Sequence, residues 1–284
     1  VNRVRFPIRG RGVSRNTPNR FEKISVVRDS DYFDADGESV DPKTVFLNDT
    51  TRTIVTVNES PDVGFEASVN PYRGCEHGCA YCYARPYHEY LGFSSGLDFE
   101  TKILVKKNAP ELLRKKLNST RWKPRPVAMS GVTDPYQPIE RHLRITRGCI
   151  EVLADFRNPV SIVTKNHLVT RDIDLLSSLA RVRAASVMVS FSTIDAGLSR
   201  VLEPRTSTPA RRLDAIAELC RASVPVGVFV APVIPGLTDH EVPSIVGSAA
   251  RAGAAFAAYH LLRLPQRVAP LFEEWLEAHF PTRK

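Results

Sequence analysis

Between residues 65 and 262 the chain repeats one unit, a short apolar β-prone run followed by an amphipathic helical stretch. Strands are predicted at 65–70, 127–131, 160–164, 186–191, 226–231 and 255–262. Helices are predicted at 79–90, 110–117, 139–156, 172–180, 209–222 and 239–252. The helix at 209 carries its own start signal, Thr208 as N-cap and Pro209 at the first helical position. Six such units predict a parallel sheet with its helices outside: an α/β fold, curled into a partial (β/α)6 TIM-type barrel. A complete barrel needs two more units, which the ~20 residues after 262 do not supply. The chain thus divides into a flexible basic arm (1–20), an extension packed on the barrel (21–64), the barrel (65–264) and a C-terminal helical segment (265–284). Weaker β-prone runs lie at 24–27, 53–57 and 102–105.

Chemistry gathers in loops that leave the C-terminal ends of parallel strands. Five polar or glycine-containing segments do so here, and the first holds Cys75, Cys79 and Cys82 at C-x3-C-x2-C. Three clustered thiolates can hold three irons of a [4Fe–4S] cluster and leave the fourth iron open to an external ligand. Zinc is the competing occupant, with His77 or His88 as a fourth ligand, but no second cysteine pair follows. Five cysteines, three of them in one loop, argue against a disulfide framework and for a reducing compartment. No apolar run approaches the ~18–20 residues of a membrane span, and no signal-peptide pattern opens the chain, so a cytoplasmic protein is expected.

The formal charge is +8, and Arg3, Arg5, Arg9, Arg11, Arg15 and Arg20 crowd the first twenty residues without an acid. Such an arm is expected to lie on phosphates of DNA or RNA.

The stretch NPYRGCEHGCAYCYAR (70–85), together with TDPYQP (133–138), resembles the cluster loop and following strand end of the radical S-adenosylmethionine (SAM) superfamily. More narrowly, it is similar to the branch related to spore photoproduct lyase. The resemblance implies that Cys75, Cys79 and Cys82 ligate the cluster and that its open iron chelates SAM. It further implies reductive cleavage of SAM to a 5′-deoxyadenosyl radical that takes hydrogen from a substrate, with an electron donor such as flavodoxin or ferredoxin. Tyr81 matches the aromatic set against adenine. Ser130, Thr133 and Asp134 match the region holding the SAM amino group, and Lys165 and Arg205 are candidates for its carboxylate. One of Ser190 and Ser192 is expected to reach the ribose or carboxylate, and the backbone around Ile234 to pair with adenine.

The chain departs from that branch at the second strand. The segment 128–133, AMSGVT, carries no thiol to return a hydrogen atom, while Cys149 and Cys220 fall on outer helices and are expected to be buried there. Tyr83 or Tyr136, with Tyr87 as a third candidate, is therefore the expected catalytic source of a hydrogen atom or an electron, and Arg85 and His88 the expected contacts to an anionic substrate. The competing readings are a radical SAM enzyme acting on a peptide or small molecule, and a non-catalytic cluster- or zinc-binding regulator.

Overall fold

The computed structural model describes residues 7–21, 43–58, 64–129 and 131–283. In chain order the strands are β1 (Val45–Asn48), β2 (Val55–Val57), β3 (Ala67–Val69), β4 (Tyr72–Arg73), β5 (Lys102–Val105), β6 (Val127–Met129), β7 (Val160–Thr164), β8 (Ala185–Phe191), β9 (Val226–Val233) and β10 (Phe256–Leu261). The helices are α1 (Leu97–Thr101), α2 (Ala109–Leu117), α3 (Glu140–Leu143), α4 (Ile145–Asp155), α5 (Ile173–Arg181), α6 (Ala196–Leu202), α7 (Pro209–Arg221), α8 (Val242–Arg251) and α9 (Val268–His279).

The main sheet has the order β10-β9-β8-β7-β6-β3-β2, parallel throughout except for β2, which pairs antiparallel with β3 at one edge. Its six parallel strands are the six predicted, and β10 and β2 end the sheet without pairing to each other, which is the partial barrel. Burial alternates along β6 and β7 because successive side chains point to opposite faces. Val127, Met129, Val160, Ile162, Val187 and Val189 pack in one core with Leu153, Leu176, Ile216 and Ile245 of the helices. On the other face, register aligns the small residues Ser68, Ala128, Ser161 and Ser186 across β3, β6, β7 and β8. Every residue of β10 is exposed, in contrast to β8 and β9.

Four details differ from the expected elements. Residues 102–105 do form a strand, β5, but it joins β1 and β4 in a separate three-stranded sheet. The stretch expected as a helix from 79 is turn structure until a 3-10 helix at Arg85–Leu91. The long helix at 139–156 is broken at Arg144, whose φ of 53° lies in the left-handed region. Glu140 of α3 causes the break: its buried carboxylate accepts the Thr146 and Arg147 amides (3.0 and 3.3 Å) and so caps α4. Finally, α6 was unforeseen; Asp195 caps it by accepting the Leu198 amide at 2.6 Å.

The expected flexible arm also needs correction. Residues 7–21 have no regular structure, yet they are packed: Gly12, Val13, Thr17 and Asn19 are buried. Three of the arm's guanidiniums are committed within the protein. Arg11 donates to the Glu100 carbonyl and Thr44, Arg15 pairs with Glu274 of α9, and Arg20 pairs with Glu89. Arg9 is exposed, while Arg3 and Arg5, like the run at 24–27, lie outside the described residues. Among the described residues no helix is long and apolar enough to cross a membrane.

Candidate active site

The cluster loop leaves β3, crosses the short β4 and returns through the three cysteines. Gly74 and Gly78 take φ of 79° and 66°, conformations open mainly to glycine, and so let the loop turn beside each of the first two thiols. Backbone bonds pin it at three points. The Cys75 amide donates to Phe99 (2.9 Å), the Ala80 amide to Leu202 (3.1 Å), and the Glu76 amide to the Gln137 side chain (3.0 Å). Cys75, Cys79 and Cys82 are all free thiols. Burial raises the pKa of each, and the Asp134 carboxylate, followed by Cys79 and Cys82, raises that of Cys75 further. Such a set, protonated when alone and deprotonated on binding iron, fits a [4Fe–4S] cluster held by three thiolates.

The histidines do not complete a zinc site. His77 is aimed at Asp134 (Nδ1 to Oδ2, 3.4 Å) and at the Asn166 side chain (3.3 Å). His88 is enclosed by Phe93 and Phe99, with Nε2 unpartnered, and burial lowers its pKa to about 4. Among the described residues no three His, Cys, Asp or Glu side chains converge closely enough to hold a single metal ion.

Two buried carboxylates organise the strand ends beside the loop. Asp134, after β6, accepts the Tyr136 amide and the Thr164 hydroxyl on Oδ1 (2.8 and 2.7 Å) and the Lys165 amide on Oδ2 (2.8 Å). Burial alone would raise its pKa, but His77 and these donors outweigh it and hold the carboxyl below the usual range. Thus Asp134 ties the loop after β6 to β7 and to the cluster loop, and both its oxygens are already engaged. Glu203, at the end of α6, was not among the expected site residues. Its Oε1 accepts the Tyr81 hydroxyl, the Ser192 hydroxyl (2.6 Å) and the Lys165 ammonium (3.0 Å), and Oε2 accepts from Arg212. Here too burial pushes the pKa up, but Arg212 and Lys165 together drive it well below the ordinary carboxylate range.

Around Glu203 the expected SAM-facing residues converge. Lys165 also donates to the Ser190 hydroxyl (2.9 Å) and the Ala231 carbonyl (2.8 Å), and its ammonium lies 5.8 Å from the Tyr81 ring centroid. Ser190 near the end of β8 and Ser192 just after it both enter this network, the first through Lys165 and the second through Glu203. Tyr81 and Ile234 meet in one apolar cluster with Leu202, Phe272 and Trp275. The Ile234 amide is taken by the Thr238 hydroxyl at 3.0 Å. Thr133 is buried and donates to the Tyr72 carbonyl (3.1 Å), and Arg205 reaches Thr44 (3.3 Å) and Glu76 (3.6 Å) on the flank of the cluster loop. Ser130 lies outside the described residues.

The expected catalytic and substrate contacts separate. Tyr83 is exposed and donates to the Gly131 carbonyl at 3.0 Å, at the mouth of the sheet. Tyr136 is fully buried, its hydroxyl on Asp172 (3.1 Å). Arg85 and His88, expected as substrate contacts, are likewise buried. Arg85 instead holds the cluster loop: it donates twice to the Cys79 carbonyl (3.2 and 2.9 Å), to the Ser95 and Gly96 carbonyls, and to Glu100 at 2.5 Å. Cys149 is buried in α4 as expected, but Cys220 is exposed at the end of α7.

Known proteins resemble the chain in sequence and in fold. The chain is 40% identical over 219 residues to an uncharacterized protein of Mycobacterium tuberculosis, a match covering 76% of this chain and 64% of that protein, just under two thirds of its length. It is 30% identical over 173 residues to the radical SAM Nalpha-GlyT isomerase of Pseudomonas phage M6, covering 60% of this chain and 34% of the phage protein. Among solved structures, spore photoproduct lyase superposes with a TM-score of 0.61 at 18% identity, covering 84% of this chain and 67% of the lyase. A mutant lyase with bound AdoMet and dinucleoside spore photoproduct matches with a TM-score of 0.60. The profile of the Radical SAM superfamily matches residues 69–249, from the last residue of β3 into α8. With its cysteine loop, its six parallel strands and this match, the chain belongs to the radical SAM superfamily, whose enzymes work with a [4Fe–4S] cluster and SAM.

Proposed function

We propose that this radical SAM enzyme acts on a nucleic acid, on a nucleotide laid over the tyrosines beside the cluster loop. The observation that carries the reading is an exposed aromatic row that begins one residue after Cys82. Tyr83, Tyr87, Tyr90 and Phe21 are each more than half exposed, at 52, 54, 67 and 55%. Tyr87 and Tyr90 lie three residues apart on a 3-10 helix and so share a face. The Tyr90 and Phe21 ring centroids are 5.0 Å apart, with the Arg20 guanidinium 4.9 and 4.7 Å from them. Exposed aromatic faces beside a cation are what unstacked bases bind. The likeness to a lyase solved with a dinucleoside supports the same class of substrate.

In this reading Cys75, Cys79 and Cys82 hold three irons, and Tyr81, Lys165 and Ser190 orient SAM, with Glu203 fixing Tyr81 and Lys165 in place. The remaining expected contacts among the described residues, Thr133, Asp134, Ser192, Arg205 and Ile234, shape the same pocket. When bound, the cluster supplies a low-potential electron and SAM the carbon radical. Tyr83 sits at the mouth and takes the hydrogen-donor role, since 128–133 offers no thiol. The enzyme needs a reductant, and a flavodoxin or ferredoxin is proposed for it.

The test pairs binding with turnover. Single-stranded oligodeoxynucleotides are expected to bind with an affinity that falls as salt rises, to raise 5′-deoxyadenosine formation, and to bind less well after Tyr87→Ala. Absence of binding at low salt together with no stimulation would overturn the nucleic-acid reading, and stimulation by peptides alone would move the substrate class to peptides.

A further inference from the structure

The arginine-rich segment before residue 21 has its own place in the structure, and that place is the cluster loop. Gly12 packs backbone against backbone on Gly78, the residue preceding Cys79. A β-carbon on Gly12 would stand 1.7 Å from the Gly78 carbonyl oxygen and 3.0 Å from the Ala80 amide nitrogen. A β-carbon on Gly78 would stand 2.7 Å from Glu100 Oε2 and 3.3 Å from the Gly12 amide nitrogen. Either side chain would wedge the two segments apart. The Gly12 amide donates to Glu100 Oε2 at 3.1 Å, while Glu100 Oε1 accepts from Arg85 at 2.5 Å. Arg85 in turn grips the Cys79 carbonyl through two nitrogens, at 2.9 and 3.2 Å. A continuous path of bonds therefore runs from Gly12 through two buried, oppositely charged side chains to the second thiol's own peptide.

The segment is anchored on both sides of that contact. Asn16 and Asp98 exchange bonds: Asn16 Nδ2 donates to Asp98 Oδ1 at 3.0 Å, and the Asp98 backbone amide donates to the side-chain Oδ1 of Asn16 at 2.9 Å. The Thr17 amide donates to the Ser94 hydroxyl (2.7 Å), and the Asn19 amide group donates to the Glu89 and Phe93 carbonyls. On its other side, Arg15 Nε donates to both oxygens of Glu274 in α9.

We propose that residues 8–20 are a strap forming the outer wall of the cluster site, with Gly12, Glu100 and Arg85 as positioning residues for the cysteine loop. The strap covers backbone whose exposure sets how much water reaches the cluster, and solvent exposure and hydrogen bonding near the sulfurs tune reduction potential. A cluster with three thiolates gains negative charge on reduction. Water favours the more highly charged state, so a lifted strap raises the potential and speeds attack by oxygen. This inference rests on the cluster site and not on the nucleic-acid reading, and can fail while that reading stands.

The experiment compares reconstituted full-length Gly12→Val and Asn16→Ala with the parent and with Arg9→Gln, which alters an exposed arginine outside the anchored contacts. Iron and sulfide content, the EPR spectrum of the reduced cluster, its midpoint potential and the rate of bleaching in air are measured on each. Gly12→Val is expected to bleach several-fold faster, with a higher potential and altered g values, and Asn16→Ala to change in the same direction by less. Arg9→Gln should match the parent. If Gly12→Val does not fold or load, Asn16→Ala decides. Parent-like bleaching, potential and EPR spectrum in a loaded Gly12→Val protein, or in Asn16→Ala when the valine variant fails, would overturn the proposal.

Discussion

Glu203 concentrates the electrostatics of the site at one residue. It brings together groups from four places: Tyr81 in the cluster loop, Lys165 after β7, Ser192 after β8 and Arg212 in α7. Removing one side of such a buried pair leaves the other uncompensated, at a cost of about 3–5 kcal/mol. Glu203→Gln is expected to lose that much in urea unfolding and to weaken SAM binding. Adding Arg212→Met should recover part of the stability, because the stranded guanidinium is gone. A second residue gives a pH signature. Burial holds His88 near a pKa of 4 against an ordinary 6.5, so the unfolded chain takes up a proton that the folded protein refuses. Its effect on stability is absent above 6.5 and grows as pH falls toward 4, reaching about 3 kcal/mol of destabilisation. Urea midpoints should fall across that interval and fall less in His88→Gln; an equal slope in both would refute the assignment. The thiols were legible because their spacing is local. Glu203 was not, because EPRTST reads as a surface loop until the fold brings four distant partners to it. Arg85 and His88 misled for the same reason: near a catalytic motif, a polar side chain reads as a contact, and burial is invisible in one dimension.

At the scale of elements, the βα rhythm carried most of the fold, since apolar periodicity marks strands and helices wherever one face is buried. It failed where tertiary contacts override local pattern. Ile139, Leu143, Ile150 and Leu153 read as one helical face, and no Gly or Pro stands between 140 and 147 to mark a stop, yet Glu140 caps a new helix start and Arg144 turns left-handed. Glycine adopts that conformation without the cost an L side chain bears, roughly 1 kcal/mol, partly offset by glycine's larger unfolded-state entropy. Arg144→Gly, at an exposed position, is therefore expected to stabilise slightly, by less than about 1 kcal/mol, seen as a small rise in melting temperature. A fall would show that the arginine side chain contributes more than its backbone costs. The arm before residue 21 was read as flexible from its charge, its lack of apolar periodicity and its Gly, Pro, Ser and Asn. Its glycines and small polar residues, which look like flexibility in sequence, are the very residues that let it lie flat on the cluster loop.

For the whole molecule, the half-barrel places one rim of loops around the cysteines, while the outer face is closed by helices and the N-terminal strap. The parallel order of strands was predictable from six repeats; the separate sheet of β1, β5 and β4 was not, because a four-residue strand carries no mark of which sheet it joins. The central claim is that this rim makes the three-cysteine loop a radical-generating site. Its most direct measurement is 5′-deoxyadenosine formed from SAM by the anaerobically reconstituted, reduced protein. The account predicts product from the parent, none from Cys82→Ala, and parent-like amounts from Cys149→Ala and Cys220→Ala. A parent protein with full iron and sulfide that forms no 5′-deoxyadenosine, with or without oligonucleotide, would contradict it.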